Sequence, residues 1–72
     1  MTIEQVKDIF DVFSVMVRED NYSNEYTFDV AYYAHEIIKC TEYLKTEFNE
    51  WNRNAYNERI DMAMKKLEQL LG

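Results

Sequence analysis

The chain contains no proline, and its only glycine is Gly72. These two residue types let a backbone reverse tightly and interrupt periodic elements. Without them in its interior, a chain is poorly equipped for the frequent turns of a β-sandwich or for a glycine-rich phosphate loop. Helices joined by short polar loops remain. Seventy-two residues make one domain, near the lower size limit for folding alone. Hydrophobic residues supply 47% of the chain and aromatic residues 15%, enough to build a core.

Hydrophobic spacing places helices at about 3–19, 28–49 and 54–71. The first opens on Thr2 and Gln5 in capping-box spacing, and Ile3, Val6, Phe10, Phe13 and Val17 follow at helical intervals, with Ile9 and Met16 beside them. Residues 20–26 are polar and turn-forming. Thr27 is the expected cap of the second helix, with Asp29 favourably placed in its first turn. Its core stripe reads Val30, Ala34, Ile37, Ile38, Thr41, Leu44, Phe48 and Trp51. Glu36 with Lys39, and Glu42 with Lys45, have the spacing of helix-surface ion pairs. The phase then breaks between Asn49 and Asn54, either as a turn capped by Asn52 or Asn54 or as a bend in one long helix. A third stripe runs through Tyr56, Ile60, Ala63, Leu67 and Leu70. The expected fold is all-α, a small three-helix bundle forming a single domain over 1–72.

Charge is unevenly distributed. Residues 1–36 hold eight acids and two bases, whereas residues 37–72 hold six of each. The whole net charge of −6 therefore belongs to the first half. That balance disfavours direct nucleic-acid binding, which calls for lysine and arginine against phosphate. It favours a partner with a basic surface.

The residues for catalysis or metal binding are not arranged for either. His35 is the only histidine and Cys40 the only cysteine, too few for a zinc site. Five residues apart on one helix, they point to different faces, so no nucleophile–base pair forms. An EF-hand reading from Asp20 fails, because Tyr22 stands where a ligand belongs and Glu25 where glycine is needed. A DNA-reading helix would have to use Arg53 and Arg59, which Glu47, Glu50, Glu58 and Asp61 surround. No catalytic, cofactor-binding or metal-binding residues are expected. The lone cysteine suits a reducing compartment, and Glu4 stands where a signal peptide carries basic residues. The longest nearly apolar run, 12–17, falls far short of the roughly 20 residues of a membrane span. A cytoplasmic protein that does not engage membranes is expected.

The faces turned away from the core suggest how the chain acts. On the first helix these carry Glu4, Asp8, Asp11 and Glu19, with Val12 and Val15 among them. Either the third helix covers the valines, or they form the apolar centre of an acidic binding face. The second helix turns Tyr32, Glu36, Lys39 and Tyr43 outward, and Tyr22 and Tyr26 precede it. Tyrosine is enriched at interfaces. With Asp20, Glu25 and Asp29 nearby, these residues make a candidate partner surface.

In length, in the acidity of residues 4–36 and in the aromatic segment 22–33, the chain resembles the modulator-of-repression antirepressors of temperate phages. The resemblance implies a non-enzymatic inhibitor that binds the helix-turn-helix domain of a CI-type repressor, blocks operator binding and favours lytic growth. It would work in the host cytoplasm, as a monomer rather than a dimer. Two alternatives stand beside it: an anti-CRISPR or DNA-mimic inhibitor of a nucleic-acid-binding effector, and a structural module dimerising through Ile60, Leu67 and Leu70.

Overall fold

The computed structural model describes residues 1–19 and 24–72. It is an all-α three-helix bundle of α1 (Ile3–Glu19), α2 (Glu25–Thr46) and α3 (Glu50–Leu71). None of these helices is long and apolar enough to cross a membrane.

Local side-chain chemistry sets where each helix begins. Thr2 and Gln5 form the reciprocal capping box: the Gln5 N–H donates to Thr2 Oγ1 at 3.2 Å, and the Thr2 N–H donates to Gln5 Oε1 at 2.8 Å. The cap of α2 is Asn24, not Thr27. Asn24 sits in extended backbone and accepts the Thr27 N–H at 3.1 Å. Thr27 is a buried residue inside the first turn. The apolar period does not reveal this start, because Glu25 and Tyr26 contribute nothing to the buried stripe.

The second boundary also differs from the periodic reading. α2 stops at Thr46, and α3 is capped by Asn49, which accepts the Asn52 N–H at 3.2 Å. Asn52 and Asn54 therefore lie inside α3, and residues 47–49 are a turn rather than a helix bend. The Glu47 N–H closes α2 on the Tyr43 carbonyl at 3.0 Å. Arg53 Nη1 then donates to the carbonyls of Leu44 and Glu47, both at 2.7 Å, satisfying acceptors that a helix end leaves without partners. Phe48 and Trp51 consequently leave the core stripe. They stand 88% and 82% exposed, because the turn breaks the phase that an uninterrupted helix would have kept.

The core is one cluster drawn from all three helices: Val6, then Val30, Ala34 and Ile37, then Ala63 and Leu67. Fully burying a side chain such as Ile37 or Leu67 contributes about 1.5–3 kcal/mol. Partly buried Ile3, Ile9, Phe10, Phe13, Ile38, Ile60 and Leu70 surround the cluster, so the inner stripes of α1 and α3 fall as their spacing predicts. α2 is the central element. Both other helices pack along it, while α1 and α3 do not approach each other backbone to backbone.

A polar seam fixes α3 against α2. Glu36 is mostly buried, receives a hydrogen bond from Arg59 Nη2, and pairs with Lys39 at 3.6 Å. The buried Cys40 donates its thiol to Glu36 Oε1 at 3.4 Å. Beside it Tyr43 and Tyr56 lie 5.2 Å apart, with the Arg59 guanidinium 5.8 Å from the Tyr56 ring.

Candidate protein-binding face

The outward side of α1 follows from its packing. Val6, Phe10, Phe13 and Val17 turn toward α2, so at about 100° per residue Glu4, Asp8, Asp11, Val12, Val15 and Glu19 fall on the opposite side. All six are exposed. Val12 is 58% and Val15 41% exposed, because α3 packs along α2 and does not cover them. Two β-branched apolar residues thus stand in water among four carboxylates, and Lys7 and Arg18 are the bases on this helix.

The remaining expected site residues do not join this face as one surface. Tyr26 is exposed and leans edge-on against Phe13, with ring centres 6.2 Å apart at 73°. Tyr32 stacks on Phe28 at 6.5 Å and meets Tyr33 edge-on at 5.3 Å. Six residues apart, Tyr26 and Tyr32 are separated by about 120° around the α2 axis. Tyr32 belongs instead to a groove of about 510 Å³ between α1 and α2, which Phe10, Ser14, Arg18 and His35 help to line. Glu25 is exposed in the first turn of α2, and Asp29 is half-buried. Asp20 and Tyr22 lie outside the described residues.

Glu36 is the member of the expected set that the fold draws inward. It does not project freely beside Tyr32, since Arg59, Lys39 and Cys40 occupy its oxygens. Burial pushes its carboxyl up, but the hydrogen bonds from Arg59 and Cys40 and the nearby positive charges outweigh that and hold it below the ordinary carboxylate range. The Cys40 thiol moves the other way: burial, then its bond to Glu36, push it up and keep it protonated. A buried, neutral thiol is a poor nucleophile. His35 lies against the Phe10 ring at 5.5 Å. Among the described residues no group of His, Cys, Asp or Glu converges as metal ligands.

The two arginines that could have faced a DNA groove are both engaged within the fold, Arg53 on helix-end carbonyls and Arg59 on Glu36. Phe48 and Trp51, which the sequence assigns to the core, are instead the two most exposed large apolar side chains among the described residues. Asn49 was the available signal: an amide residue three positions before Asn52 can cap a helix that starts after Phe48. No protein-family model matches the chain, nor does any curated protein or solved structure.

Proposed function

We propose that this protein is a non-enzymatic inhibitor of the antirepressor type, which docks the outward face of α1 on the basic DNA-binding domain of a helix-turn-helix repressor. The observation that supports this reading is the pair of exposed valines set among Asp8, Asp11 and Glu19. Carboxylates on such a face meet the arginines and lysines that a repressor otherwise turns to phosphate. They speed encounter and set partner choice. The valines supply the dry centre, where a few anchors carry most of the affinity. A phosphate mimic would rely on carboxylates alone, so the valines favour the repressor reading over a DNA mimic.

The test is a mobility-shift assay with a CI-type repressor and its operator. Added protein releases the operator, and the Val12→Asp, Val15→Asp double variant does not. If a large excess of protein leaves operator binding unchanged, the reading fails.

A further inference from the structure

We draw no further inference here: the strongest candidate, the aromatic groove of about 510 Å³ between α1 and α2 lined in part by Phe10, Phe28, Tyr32 and His35, carries no proposal, because nothing in the structure shows what covers it.

Discussion

The outer side of α1 and the outer side of α3 both expose apolar side chains that the bundle could not bury, yet they differ in charge and in shape. On α1 the apolar residues are small β-branched valines in a mainly acidic field, with Lys7 and Arg18 toward its edge. On α3 they are large, and acids and bases are mixed along the helix, with Glu68 on the same line as Glu50. A field of one sign repels its own copy and attracts an opposite surface. A field of mixed sign does neither strongly. Equal exposure thus carries different meanings, and the local charge order decides which kind of partner a patch suits.

The largest effect comes from a change that both faces share. Ile37 lies in the cluster that all three helices build, so Ile37→Ala should cost about 2–5 kcal/mol in urea unfolding and weaken the proposed repressor contact with it. For a domain of this size that is a large part of the total stability.

A crossed experiment sharpens the comparison further. The Val12→Asp, Val15→Asp double variant should lose repressor binding by about tenfold or more, while Trp51→Ala on the α3 side leaves it intact. If Trp51→Ala weakens repressor binding with an unchanged fold, the two faces are not separate.

Next in size is the seam that sets α3 on α2. Glu36→Gln removes the charge that holds Arg59, and should cost about 1–2 kcal/mol, below the usual worth of a charge-assisted bond because Arg59 is half exposed. The Glu36 carboxyl is held below its ordinary range in the folded chain. It therefore adds stability at neutral pH, and that stability is lost as pH falls through its lowered folded value. Unfolding midpoints measured between neutral and acidic pH should fall less steeply in the Gln variant than in the parent.

The smallest of these effects is at the α2–α3 turn. Asn49→Ala should cost about 1 kcal/mol through the lost helix cap. Urea unfolding of the variant against the parent measures it.

Much of the architecture is written in the apolar spacing. Val6, Phe10 and Val17, then Val30, Ala34 and Ile37, then Ala63 and Leu67 recur at helical intervals and meet in one core. The capping box of Thr2 and Gln5 is equally legible, because both partners are local in sequence. Spacing misleads at the α2–α3 turn. A stripe that continues in phase through Phe48 and Trp51 looks the same whether or not the helix continues. What stops it is a set of polar contacts, the Asn49 cap and the Arg53 clamp, to which hydrophobic periodicity is blind.

Sequence by itself determined the helical class, the inner stripe of each helix and the crowding of negative charge into the first half, since these depend on composition and on neighbours a few positions apart. Only the tertiary structure decided what the outward residues meet. It left Val12 and Val15 in water because α3 packs along α2 and does not cover them. It drew Glu36 inward because Arg59, 23 residues further on, reaches it across the helix pair. And it turned Phe48 and Trp51 outward. Each of these outcomes depends on how one helix is rotated against another, a relation set by contacts between distant parts of the chain.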